Sequence, residues 1–142
     1  MTVLFSNYGE IAVLDHLVGD LTGPPNWTIR LFKNDVTPAH GDDETLFTEA
    51  DFDGYAAVSM SGMASGGNTG GDKAEFTADD AVFTVGTSPV TTNTIYGYYV
   101  TDDDAVDKLV YSERFDTSVD MDTDDEELTI TPSFELWDST QA

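Results

Sequence analysis

Residues 94–115, TIYGYYVTDDDAVDKLVYSERF, constrain the fold of this chain more than any other stretch. Residues 94–100 are dense in Tyr and β-branched side chains, which fit a pleated, half-buried surface. Residues 109–115 alternate, with Leu109, Tyr111, Glu113 and Phe115 on one face and Val110, Ser112 and Arg114 on the other. Between the two runs stand Asp102, Asp103 and Asp104, too charged to bury and suited to a turn. The spacing predicts a hairpin, and one this apolar belongs near the middle of a sheet.

Other segments supply neighbours for that hairpin. Residues 27–33 read as a strand with Trp27, Ile29 and Leu31 on one face and Thr28, Arg30 and Phe32 on the other. Residues 55–60, 73–77 and 81–85 read as further strands, and 128–136 alternates most regularly of all. Pro132 lacks an N–H, so that last strand lies at an edge or carries a bulge. Turn signals at 22–26, 34–44 and 86–93 separate the runs. The Gly- and Ser-rich residues 61–72 read as a long mobile loop, and 48–52 as a short helical turn.

One helix is expected, over residues 6–19. Ser6 or Asn7 can cap it, with Glu10 three residues after Asn7; Ile11, Leu14 and Val18 recur at helical spacing, and Gly19 stops it. Its apolar face covers the chain's own core or docks on a neighbouring subunit. Seven or eight strands with no crossover helices between the later ones predict an all-β fold: an antiparallel β-sandwich or barrel with one short N-terminal helix. At 142 residues the simplest reading is a single domain over 1–142. A chain of this length buries about 70% of its unfolded surface and needs no staples, which suits the absence of cysteine.

Charge narrows the partners. There are 28 acidic residues, 20 of them Asp, against 3 Lys and 2 Arg, a net charge of −23. Phosphate backbones and anionic membrane surfaces need basic contacts, so neither nucleic acid nor a membrane is an expected partner. No run approaches the roughly 20 apolar residues of a membrane span, and the N-terminus lacks the basic region of a secretory signal. Many Asp with few Lys suits a protein working in strong brine, where salt screens self-repulsion.

No pattern points to catalysis, and the chain is read as a non-enzyme. No Ser sits in a G-x-S-x-G elbow and there is no H-E-x-x-H zinc helix. His16 and His40 lie in polar surroundings, and His40 beside Asp42 and Asp43 reads as a solvated loop tip. Gly66, Gly67, Gly70 and Gly71 lack the context of a phosphate cradle. Asp120, Asp122 and Asp124 alternate as in a calcium loop but lack its Gly and its distal Glu, leaving weak divalent-cation binding as the one metal candidate and no other cofactor expected. Glu113–Arg114 is the one charged pair inside an apolar strand; it reads as a site or, more simply, as an anchor for a neighbouring loop.

Several segments carry a family look. They are LFKNDVTP (31–38), FTEADFDGY (47–55), YGYYV (96–100), SERF (112–115) and LTITPSF (128–134), behind a short N-terminal helix. The combination resembles a group of small β-rich virion proteins encoded by tailed viruses, and the acidic composition resembles a haloarchaeal version. The resemblance implies a virion structural protein, most simply a capsid decoration or turret-type component forming homo-oligomers on the head. It would contact the major capsid protein, other virion proteins and itself, and be assembled in the host cytoplasm. The helix at 6–19, the loop at 61–72 and the C-terminal segment are candidate contacts. The alternative is a tail-associated or fibre-type module binding a host glycan, with Trp27, Trp137 and exposed Tyr stacking on sugar.

Overall fold

A computed structural model describes residues 3–11, 26–66, 73–105 and 107–137. Ten strands run through them: β1 (Val3–Phe5), β2 (Trp27–Phe32), β3 (Val58–Ser59), β4 (Ala64–Gly66), β5 (Lys73–Thr77), β6 (Ala81–Thr84), β7 (Asn93–Asp102), β8 (Lys108–Met121), β9 (Glu127–Ile130) and β10 (Ser133–Trp137). Every pairing among them is antiparallel. The expected 94–115 hairpin is β7–β8, and it lies inside a five-stranded sheet ordered β1-β8-β7-β2-β3.

The second layer is a kinked ribbon. β5 pairs with β10 and β6 with β9, and the register shifts by one residue between the pairs: Thr77 faces Ser133 and Ala81 faces Ile130, so residues 78–80 lie opposite 131–132. The break falls where Pro132 cannot donate, and Ala78 N–H bridges it by donating to the Pro132 carbonyl at 3.1 Å. Between the layers Ile29, Leu31, Ile95, Val100, Val110, Tyr111 and Met121 of the large sheet pack with Ala81, Phe83 and Ile130 of the ribbon. The fold is therefore mostly β and sandwich-like, as expected, with more strands than the residue pattern distinguishes and with the two central ones longer than it gives.

Several local expectations are corrected. Residues 48–52 are extended rather than helical: Glu49 bridges Phe32, while a 3₁₀ turn forms earlier, at Glu44–Leu46, capped by Asp43. Of residues 55–60 only Val58–Ser59 pairs as a strand. Within 61–72, Ala64–Gly66 is a strand on β5, and 67–72 lie outside the described residues. The helix at 6–19 is helical over residues 7–11, and 12–20 lie outside the described residues, His16 among them.

Two further differences have a physical cause. Leu109 does not share a face with Tyr111. The β7–β8 register shifts between Val100 and Thr101, so Leu109 pairs with Thr101 and Tyr111 with Val100, and the extra residue, Val110, turns inward. One inserted residue inverts a period-two pattern. Asp102 is buried despite its charge, because it accepts hydrogen bonds from the Tyr8 hydroxyl at 2.8 Å and from Asp104 N–H at 3.0 Å. The helical turn itself rests on β8: a Cβ at Gly9 would meet the Val110 carbonyl oxygen at 1.9 Å, so only glycine fits.

Candidate functional site

The large sheet is apolar on both faces. Away from the ribbon, Phe32, Tyr99 and Leu109 form a second cluster with Phe47, against which Val36, Leu46 and Tyr96 pack. Residues 34–47 supply its cover, and Phe47 stacks on Tyr99 with ring centroids 4.6 Å apart. Asn34 holds the ends of this segment together: its amide donates to the Leu46 carbonyl at 2.9 Å and its carbonyl accepts from Thr48 N–H at 2.8 Å.

The chain's scarce positive charge is concentrated on fastening this cover. Arg114 Nη2 reaches Asp35 at 2.6 Å, its Nη1 donates to the Val36 carbonyl at 2.7 Å, and its guanidinium lies 5.5 Å from the centre of the Tyr96 ring. Lys108 meets Glu44 at 3.3 Å, and Lys33 pairs with Asp51. Arg30 Nη1 pairs with Glu49 at 3.1 Å, its Nη2 with Asp107 at 3.0 Å, and its Nε donates to Thr101 Oγ1 at 3.1 Å. Burial alone would lower the Arg30 guanidinium, but Glu49 and Asp107 outweigh it and the net shift is upward. Tyr55 completes the set by donating to Glu49 at 2.8 Å while accepting from Leu31 N–H. Arg30, Lys108 and Arg114 thus hold residues 33–51 against the sheet, while Lys33 joins the two ends of that segment through Asp51; the Lys73 side chain lies outside the described residues.

Glu113 and Arg114 consequently do different things. Arg114 is the loop anchor. Glu113 points into the interior, is only 4% exposed, and accepts a 2.6 Å hydrogen bond from the Tyr98 hydroxyl on its Oε2. Burial pushes the Tyr98 phenol far above its ordinary value, with Tyr111 and Glu113 adding to the shift, so Tyr98 remains a donor. The pair opens on a cavity of about 340 Å³ between β8 and β9, lined otherwise by Phe115, Val119, Leu128, Thr129, Ile130 and Thr131. The cavity exists because β8 makes a wide excursion: Gly97 pairs with Arg114 but Ile95 with Val119, leaving four β8 residues opposite Tyr96 alone. A second hollow of about 440 Å³ beside β1 is lined by Leu4, Thr37, Pro38, Ser112, Arg114, Phe115 and Asp116; its one cation is already committed to the loop.

The structure does not bring the acidic candidates together. Asp120 accepts from Thr94 Oγ1 at 2.6 Å, Asp122 from Thr123 Oγ1 at 3.0 Å, and Asp124 from Ser88 N–H at 2.8 Å. Among the described residues no three His, Asp or Glu side chains are grouped as a metal ion requires. His40 is exposed and lies 3.4 Å from Glu10. Trp27 is buried in the core, 6.2 Å from the Phe76 ring and 6.4 Å from that of Tyr111, so it offers no face to a sugar; the Trp137 side chain lies outside the described residues. No helix among the described residues is long and apolar enough to cross a membrane. No protein-family model matches this chain, and neither a curated protein nor a solved structure does.

Two expected outcomes follow, the first on the fastening and the second on the Asp53 carboxylate, which accepts from Val90 and Thr91 N–H. Arg114→Ala loses a charge-assisted hydrogen bond, an ion pair and a ring contact, and should cost about 1–3 kcal/mol. In that variant amide hydrogen exchange should accelerate in residues 34–47 while β7 and β8 stay protected; uniform acceleration would contradict a local latch. Asp53 gives the acid test. Hydrogen bonds from Val90 and Thr91 N–H hold its carboxyl below the ordinary value of 3.8. A depressed folded value stabilises above the unfolded one, and this is lost as pH falls through the folded value. The stability difference between the native chain and Asp53→Asn, followed by urea titration, should therefore shrink below about pH 4. A difference that grows on acidification would contradict the sign.

Proposed function

We propose that this protein is a virion structural component of a tailed virus, a capsid decoration or turret-type part assembling as homo-oligomers on the head. In this reading its partners are the major capsid protein or other virion proteins and further copies of itself. It works without catalysis or a resident cofactor, in a saline host setting that its charge suits. The observation that supports the reading best is where four of the five family-like segments fall, the fifth, LTITPSF, lying in the ribbon across β9 and β10. LFKNDVTP carries Lys33, Asp35 and Val36; FTEADFDGY carries Phe47, Glu49, Asp51 and Tyr55; YGYYV carries Tyr96 and Tyr99; SERF carries Arg114. These residues build and fasten the covered face of the large sheet. The resemblance therefore concentrates on what makes the module rigid, which is what a repeated building part needs.

Gold-labelled antibody against this protein, imaged on purified particles, tests the proposal. Label distributed over the head is the expected result. Label confined to the tail tip would favour the glycan-binding alternative, and particles without label would overturn both.

A further inference from the structure

From the cavity between β8 and β9 we infer a binding site for an alkyl cation, the side chain of a lysine or arginine presented by a different protein chain. The inference rests on the cavity alone and goes beyond the virion reading. Glu113 is almost wholly enclosed, yet its described hydrogen bonding is one contact, from Tyr98 to Oε2. A carboxylate can accept about four hydrogen bonds, and its ionised form is costly against apolar walls unless a partner compensates it. Arg30, Lys33, Lys108 and Arg114 are bound elsewhere, and Lys73 stands at the start of β5, opposite Trp137 and away from the β8–β9 cavity. Residues 12–25, 67–72 and 138–142 contain no Lys or Arg.

The walls define the rest of the ligand. Phe115, Val119, Leu128 and Ile130 present hydrocarbon around the carboxylate, and Thr129 and Thr131 stand with them. An alkyl stem satisfies the former and a terminal ammonium or guanidinium pairs with Glu113, the pattern by which lysine and arginine bury their stems, while the Thr131 hydroxyl already donates to Asp80 at 2.6 Å. At about 340 Å³ the cavity is within the size range of ligand sites. A second copy of this chain is a poor donor, since it brings 28 carboxylates against 5 basic residues, four of which are engaged.

The test uses the full chain in concentrated KCl, titrated with n-butylammonium, n-butylguanidinium and n-butanol and followed by amide chemical shifts. The expected result is saturable shifts at Val119, Leu128, Ile130 and Thr131 with either cation. The alcohol should bind about tenfold or more weakly, the scale of a charge-assisted contact. Glu113→Gln should remove the preference for the cations. Leu128→Trp, at the partly exposed wall, should block all three probes while leaving the far-ultraviolet circular dichroism unchanged, which keeps the test decisive if Glu113→Gln fails to fold. Absence of saturable shifts, equal binding of alcohol and cations, or binding that survives the Trp plug would overturn the assignment.

Discussion

Tyr111→Ala should lower the unfolding free energy by about 3–5 kcal/mol, the scale for truncating a large buried aromatic ring. Tyr111 is fully buried, and its ring lies 5.5 Å from Phe5, 6.4 Å from Trp27 and 6.2 Å from Tyr98. It therefore joins β1, β2 and β7 through one side chain on β8. Removing it leaves a hole that these stiff neighbours cannot fill by small rotations, so both the transfer loss and the cavity cost apply. Against a total of about 5–15 kcal/mol for a domain, that is a large share. Urea unfolding should show a lower midpoint with an unchanged slope. A loss under about 1 kcal/mol would mean that the site collapses freely and that Tyr111 is not the keystone its contacts indicate.

Moving the protein from concentrated KCl to about 0.1 M salt should produce a loss of stability of comparable size. Two electrostatic effects oppose each other. Salt weakens the four ion pairs that fasten residues 33–51, but exposed pairs contribute only about 0–1 kcal/mol each. Salt also screens repulsion among 23 excess negative charges, which grows with the square of the charge and reaches across the whole molecule when the Debye length is about 10 Å. The second effect wins, so the thermal midpoint should rise steadily with KCl. Sucrose, which is excluded from the surface without screening, should reproduce only part of the rise. A midpoint that is flat or falls with KCl would remove the basis for the saline reading.

These two expectations differ in how far the residue string alone leads to them. Salt dependence follows from counting carboxylates and needs no coordinates. The central hairpin, the strands at 27–32, 73–77 and 81–84, and the interruption at Pro132 were also legible, because period-two alternation and a missing N–H are local properties. β1 was not, since three residues carry too little pattern to register. The inward turn of Val110 was not either, since a bulge is decided by how β7 and β8 pair.

The site divides along the same line. Arg114 as a loop anchor was one of two readings open from its placement in an apolar strand. That Glu113 would part from it and face Tyr98 across a cavity had no signal, because the excursion of β8 opposite Tyr96 is a matter of non-local pairing. The string by itself determined a β-rich chain, its turns and its acid coat, all set by neighbours within a few residues. Only the tertiary structure decided which carboxylates receive the few cations and that Glu113, among the described residues, is enclosed with the Tyr98 hydroxyl as its hydrogen-bond partner. Those pairings join residues as far apart as Asp35 and Arg114, and a distance along the chain says nothing of a distance in space.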